Sequence, residues 1–434
     1  MKHNPLVSRR NFVKSSAAAA AGLAFMPSGN FAWAAGSDTI RYGLVGCGGR
    51  GTGAAVNAVE AASGVTLVAM GDLFEDRLDS SKAKLKEQLG DAYQVSPEHE
   101  FSGWDAWKHV IDSDVDVVIF ATPPVFRPIH VPYAIEKGRH VFMEKPVGID
   151  PAGVRVFFDA ADEADRKGLS IVAGTQRRHE RRYLEVMQRI HDGAIGQVVS
   201  GQVYWNQGGL WKVDRKPGWS DMEYQVRNWL YYTYLSGDHV VEQHIHNIDV
   251  ANWAVGETPI KASGVGGRQQ RVSPEYGHIF DHFAVNLEYP SGATILSMCK
   301  QQENTANFVG EHIIGTKGTS NAASWIKGEN AFRFDGENPN PYVQEHTNLI
   351  ESIRGEKPIN EARRMAETNI SAIMVREAAY TGQEVTWDDV MNSTQKLTPA
   401  TWEFGDVPIF AAAVPGETVL NRRPFEEDEM AVSG

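Results

Sequence analysis

Cysteine is almost missing: the 434 residues contain two, Cys47 and Cys299. That count excludes a disulfide framework and a multi-cysteine zinc site. Cys47 sits inside a glycine-rich turn that a disulfide would distort, so both are expected as free thiols. Positive charge is also in deficit, with 42 Lys and Arg against 55 Asp and Glu and a net charge of −13. Nucleic acids and anionic membranes both reward a basic surface, so neither is expected as a partner. After the first 35 residues no apolar run reaches transmembrane length, and no internal repeat is visible. What is present, 42% apolar and 22% charged residues, is the balance of a folded protein. The length allows two domains, because a single core stops growing well before that size.

The first 35 residues read as a targeting segment. Ser8-Arg9-Arg10-Asn11-Phe12-Val13-Lys14 carries paired arginines, an alanine-rich run follows, and Ala32-Trp33-Ala34 supplies a small-x-small cleavage site. This pattern is similar to a twin-arginine export signal and implies a periplasmic mature protein with no membrane span after cleavage. The run is too short and too alanine-rich to serve as a stable anchor.

From residue 38 to 173 strand and helix signals alternate. Apolar runs at residues 40–45, 65–70, 115–120 and 140–143 are separated by helix-length segments, including 74–89. Such alternation implies a parallel, doubly wound sheet. Residues 174–395 differ. Runs at 198–204, 260–266, 283–289 and 293–300 alternate, the last two around the turn Pro290-Ser291-Gly292, and helical periodicity returns at 348–354 and 362–381. An α+β domain with an open, mostly antiparallel sheet is expected. Residues 396–434 read as an extended tail over the surface.

The turn Gly46-Cys47-Gly48-Gly49-Arg50-Gly51 follows the first strand and opens a helix, and Asp72 comes 21 residues after Gly51 at the end of the next strand. That context makes it a dinucleotide fingerprint. Gly46 makes the tight turn, Gly48 lets the backbone approach a pyrophosphate, and Gly51 permits close helix packing. The helix N-terminus then faces the phosphates. Asp72 would take ribose hydroxyls and repel a 2′-phosphate, which favours NAD, with NADP left possible by Arg50 and Arg77.

Further on stand Thr122-Pro123, His130, and Gly138-Arg139-His140-Val141-Phe142-Met143-Glu144-Lys145-Pro146. Here the chain resembles the Gfo/Idh/MocA oxidoreductase family, and Glu-Lys-Pro after a GxHV strand is the most specific mark. The resemblance implies a Rossmann domain joined to an open-sheet domain, with Thr122, Pro123, His130, Glu144 and Lys145 at the cofactor. It also implies a catalytic role for Lys145 and a homo-oligomer paired through open sheets.

A second signature runs from Gly237 to Asp249. Read as one helix, Glu242, His246 and Asp249 share a face at i, i+4 and i+7. The resemblance makes His246 the general base, Glu242 its partner and Asp249 a substrate contact, with His244 standing where the family usually has glycine. His239, Glu242, His244, His246 and Asp249 are also metal-ligand types, but their spacing is not a standard one and no metal is expected. Arg178, Trp205 and Arg227 lie in segments rich in flat rings and planar hydrogen-bonding groups, which suit a sugar, although tryptophan serves equally often as core.

These readings converge on hydride transfer between a carbohydrate CH–OH and nicotinamide. Export adds a constraint: without an exchanging pool, the cofactor would stay bound and be recycled. Recycling allows either paired oxidation and reduction of two sugars or a transient oxidation with no net redox change. A carbohydrate-binding protein that merely keeps the fold is the alternative from another class.

Overall fold

A computed structural model describes residues 39–426. The export signal expected over residues 1–35 lies outside the described residues. Six strands form the first sheet: β1 (Ile40–Val45), β2 (Val65–Asp72), β3 (Glu100–Ser102), β4 (Val117–Phe120), β5 (His140–Met143) and β6 (Ile171–Ala173). All its pairings are parallel, in the order β3-β2-β1-β4-β5-β6. Five of the six residues of β1 are buried, as expected for a strand covered by helices on both faces. The order reverses between β1 and β4, and the carboxyl ends there open the crevice where such sheets bind ligands.

The second sheet contains β7 (Val198–Gln207), β8 (Lys261–Gly267), β9 (His282–Glu288), β10 (Thr294–Gln301), β11 (Phe308–Gly315), β12 (Gly318–Ser320), β13 (Trp325–Gly328), β14 (Phe332–Arg333) and β15 (Val385–Thr386). Its order is β14-β13-β12-β11-β7-β10-β9-β8-β15. Only the central β7/β10 pair is parallel. The expected hairpin is there, with β9 and β10 joined across Gly292 at φ +83°. The architecture is therefore a Rossmann sheet plus a mostly antiparallel sheet.

The helices that bear on the site are α1 (Gly49–Ala61), α2 (Arg127–Glu136), α3 (Pro151–Lys167), α4 (His239–Glu242), α5 (Ile245–Val255), α6 (Pro341–Arg354) and α7 (Ala362–Thr381). α2 survives an internal Pro132 that sequence reasoning would treat as a stop. α7 lies between the second sheet and α3, so both sheets share one core in which Val141, Ile171, Phe283 and Ile373 are fully or almost fully buried. Deleting a side chain such as Ile373 there would cost about 2–5 kcal/mol.

The tail is more than a surface arm. Leu397 and Val407 are buried, the Leu397 N–H donates to Asp150 Oδ2 at 2.9 Å, and Gln225 Nε2 donates to the Val407 carbonyl at 3.0 Å. Its Trp402 packs on Phe126 with ring centroids 4.7 Å apart, and Phe404 on Trp104 at 5.1 Å. Two buried aliphatic side chains and these ring contacts hold the tail against the rest of the protein.

Candidate active site

The nucleotide end is a cleft of about 650 Å³ at the carboxyl ends of β1, β2 and β4. Gly46, Gly48, Gly49, Arg50, Asp72, Thr122, Pro123 and His130 all line it. Gly46 has φ +98°, and a Cβ there would lie 2.7 Å from the Ala121 carbonyl carbon. A Cβ on Gly51 would meet the Gly46 carbonyl oxygen at 1.8 Å, so α1 can pack on the turn only without a side chain. At Gly48 and Gly49 a Cβ would meet no atom within 4 Å. Those two glycines face open space, and no side chain caps the N-terminus of α1. The result is a cradle of uncommitted amides beside a cleft, which fits a pyrophosphate. Asp72 is buried and its carboxylate accepts from the N–H groups of Cys47 (2.6 Å) and Phe74 (2.9 Å). Burial raises its pKa, and those backbone donors oppose the rise. Asp72 thus fixes the loop as well as lining the cleft.

The reaction end is built around Lys145, which follows β5. Its ammonium donates to Glu242 Oε1 at 2.7 Å and to the Glu242 backbone carbonyl at 2.5 Å, and both side chains are about nine-tenths buried. This corrects the reading of one continuous helix with Glu242 as the partner of His246. In an unbroken helix the Glu242 carbonyl would accept from the His246 N–H; Lys145 takes it instead. The chain forms a single turn, α4, then restarts as α5. His246 is buried and stacks on Trp205, with ring centroids 5.7 Å apart and planes inclined by 25°. Burial first, then the charges of Lys145 and Arg177, hold its pKa well below the ordinary range. It is a neutral imidazole with Nδ1 buried and unpartnered.

Four expected substrate contacts are committed elsewhere. Asp249 accepts from Arg178 (2.8 and 3.0 Å), Arg364 (2.9 Å) and Thr368 (3.1 Å). Burial would raise its pKa, but Arg178 and Arg364 outweigh that and keep it below the usual carboxylate range. Arg178 spends its guanidinium on Asp249 and lies 4.2 Å over the Trp253 ring. His244 is fully buried, and its Nε2 is 2.9 Å from Ser297 Oγ on β10. Arg227 pairs with Asp76 and Glu223 and covers Phe74, which puts it beside the nucleotide cleft. α5 is buried nearly throughout, so its polar side chains needed partners inside the protein. Trp205 does face His246, and its indole N–H donates to Gln207 at 2.6 Å.

Arg50 and Glu144 form an ion pair, and Arg50 also reaches Glu345 at 3.2 Å. His130 is sandwiched between Trp107 (4.4 Å) and Phe126 (5.7 Å), and burial lowers its pKa to about 3. Sequence reasoning passed over Arg127, three residues earlier at the start of α2, which is 2% exposed. It also missed the tail residues Trp402 and Phe404, packed behind the cleft residues Phe74, Trp104 and Phe126. No sequence periodicity marks such contacts. Both cysteines are free and buried. Among the described residues no group of three or more His, Cys, Asp and Glu is placed to hold a metal ion.

Residues 40–171 match the family model described as an oxidoreductase family with an NAD-binding Rossmann fold, and residues 183–321 match the GFO/IDH/MocA C-terminal domain. Among curated relatives, 2,7-anhydro-N-acetylneuraminate hydratase of Escherichia coli is 28% identical over 41% of this chain and 44% of its own length. The scyllo-inositol 2-dehydrogenase (NAD(+)) of Bacillus subtilis is 24% identical over 64% of this chain and 72% of its own. The scyllo-inositol dehydrogenase from Lactobacillus casei, solved with NAD(H) and scyllo-inositol, superposes with a TM-score of 0.62 at 21% identity, covering 81% of this chain and 99% of that one. With a glycine cradle suited to NAD and these two matched domains, the chain belongs to the Gfo/Idh/MocA family of oxidoreductases.

Proposed function

We propose that this protein is an NAD-dependent oxidoreductase acting on a CH–OH group of a sugar or polyol. The observation that carries this reading is the buried Lys145–Glu242 pair, next in the chain to Glu144, the partner of the cleft residue Arg50, with neutral His246 on Trp205. When bound, NAD supplies the redox chemistry at a carbinol carbon. Lys145 donates a hydrogen bond to the substrate oxygen as negative charge develops there. Glu242 keeps the ammonium aimed. His246, unprotonated, accepts the hydroxyl proton at a ring nitrogen, while the Trp205 face lies against the sugar C–H surface. Purified protein loaded with NAD, mixed with a panel of polyols and aldoses, should show a change in nicotinamide absorbance that Lys145→Met abolishes. Silence of the wild type across the panel would reject the reading.

A second reading shares these residues: transient oxidation followed by return of the electrons, with no net redox change. The aromatic wall of Phe74, Trp104, Trp211 and Trp229 along the cleft favours it, because a held cofactor is recycled in place. The hydratase among the relatives points the same way. Product formation from a glycoside, detected by mass with no lasting absorbance change, would select it.

Export by the twin-arginine route belongs to the same proposal and rests on residues 8–14. Replacing Arg9 and Arg10 together by lysine should leave the protein in the cytoplasmic fraction; unchanged periplasmic recovery would contradict it. Self-association is also part of the proposal. The sheet face away from α5 and α7 carries the cross-strand row Val265, Ala284, Met298 and Tyr204, with Phe308 against Tyr204, and light scattering should give a multiple of the chain mass.

A further inference from the structure

The reaction end holds a cation that no acid hydrogen-bonds. Glu144 has Arg50 as its partner, and Glu242 has Lys145. Arg127 is a third cation within electrostatic reach of both carboxylates, and neither hydrogen-bonds it. Its Nε and Nη1 are sealed from solvent and unpartnered, in a residue only 2% exposed. Buried guanidinium groups are ordinarily paired with acids or bonded to carbonyls. In this chain Arg376, also fully buried, bonds Glu377, the carbonyls of Ile149 and Gly237, and Gln395. Arg127 has nothing comparable. Burial accordingly lowers its pKa to about 10, against the pull of Glu144 and Glu242.

Its place in the fold narrows what could complete it. Arg127 opens α2, the ten-residue helix that also carries His130. Phe126 before it and His130 after it line the nucleotide cleft, whereas Arg127 does not. Its charge acts instead toward Glu242, the partner of Lys145. The planar fork of a guanidinium matches a carboxylate with two parallel hydrogen bonds. We propose that Arg127 is the anchor for a carboxylate on the substrate, and that the sugar this enzyme takes is a sugar acid. The carboxylate pairs with the unpartnered guanidinium and leaves Lys145 to the carbinol oxygen. This inference rests on the sugar oxidoreductase reading for the presence of a sugar, and on Arg127 alone for its charge.

The test uses the full chain loaded with NAD. D-Glucuronate and D-galacturonate are titrated by calorimetry beside D-glucose and D-galactose, for wild type, Arg127→Lys and Arg127→Met. The wild type should bind at least one acid tenfold or more tightly than its neutral partner. Arg127→Met should erase that preference, and Arg127→Lys should keep part of it, since a point charge replaces the fork. Equal affinity for acids and neutral sugars in the wild type, or a preference that survives in Arg127→Met, would overturn the proposal. The wild-type comparison stands even if a variant fails to fold. Neutral sugars that change the nicotinamide absorbance with no preference for acids would sink the Arg127 anchor and leave the redox reading intact. Acids that bind in preference but never change the absorbance would do the reverse.

Discussion

The two ends of the site are made of different material. The nucleotide end is backbone: a turn, bare helix amides and glycines whose missing side chains leave room. The reaction end is side chains in ion pairs that join distant parts of the chain, Lys145 to Glu242 and Arg364 to Asp249. A backbone site depends on local geometry, so one substitution acts on binding there. A side-chain site depends on paired charges inside the protein, where removing one partner strands the other. Stability and chemistry should therefore separate cleanly at the first end and stay entangled at the second.

The largest break in that contrast is Lys145→Met. Turnover should fall about 10³-fold, the cost of losing a donor to a developing oxyanion, while bound NAD stays near stoichiometric. The stranded Glu242 should also lower stability, and adding Glu242→Gln should restore the melting temperature but not the activity. Loss of bound NAD in the single variant would show that Lys145 serves the cofactor alone. Next comes Asp249→Asn, which leaves Arg178 and Arg364 without their shared acid. Denaturant unfolding should report a loss of about 3–5 kcal/mol, and turnover per folded molecule should hold. A selective rise in KM would return Asp249 to the substrate.

At the nucleotide end Gly48→Val should weaken NAD binding about 100-fold by calorimetry and leave the melting temperature of the nucleotide-free protein unchanged. Gly51→Ala should lower that melting temperature, because its Cβ meets the Gly46 carbonyl. The reverse pattern would exchange the roles assigned to these glycines.

Acid should act through the buried histidines. His130, His244, His246, His278 and His346 all have pKa values lowered by burial, to about 3 for His130 and His244 and about 4 for His278. Above an unfolded pKa of ~6.5 both states are neutral and nothing is lost. As pH falls below that value the unfolded chain takes up protons that the folded chain refuses, so stability drops down to the folded values. At pH 5 the loss is about 2 kcal/mol for each such group. Melting curves from pH 7.5 to 5 should fall steeply; a flat profile would mean that these rings find protons in the folded state. The smallest effect is expected at Trp402→Ala, with bound NAD released a few-fold faster and no change in turnover at saturating NAD.

The same division explains what could be read from the sequence. β1, the glycine turn, α1 and Asp72 were legible because strand, turn and helix signals lie side by side and each glycine has a local steric reason. α7 was legible to its ends from its helical periodicity. The break between α4 and α5 was not, because it is made by Lys145 reaching across from the other domain. Arg178, Asp249, His244 and Arg227 have the residue types of a sugar site, yet each found a partner inside the protein. Composition reveals that a polar side chain is present, and only the fold decides whether its hydrogen bonds remain free. Arg127 is the converse, a residue with no motif to mark it whose hydrogen bonds stay open.

The central claim is that Lys145 and NAD act together on a sugar or polyol carbinol. Nicotinamide absorbance of the NAD-loaded protein, recorded in a single turnover with sugars, sugar acids and polyols, tests it most directly. The account requires a rise with at least one of them in the wild type and none in Lys145→Met. An equal rise in both proteins, or none in either, would contradict it.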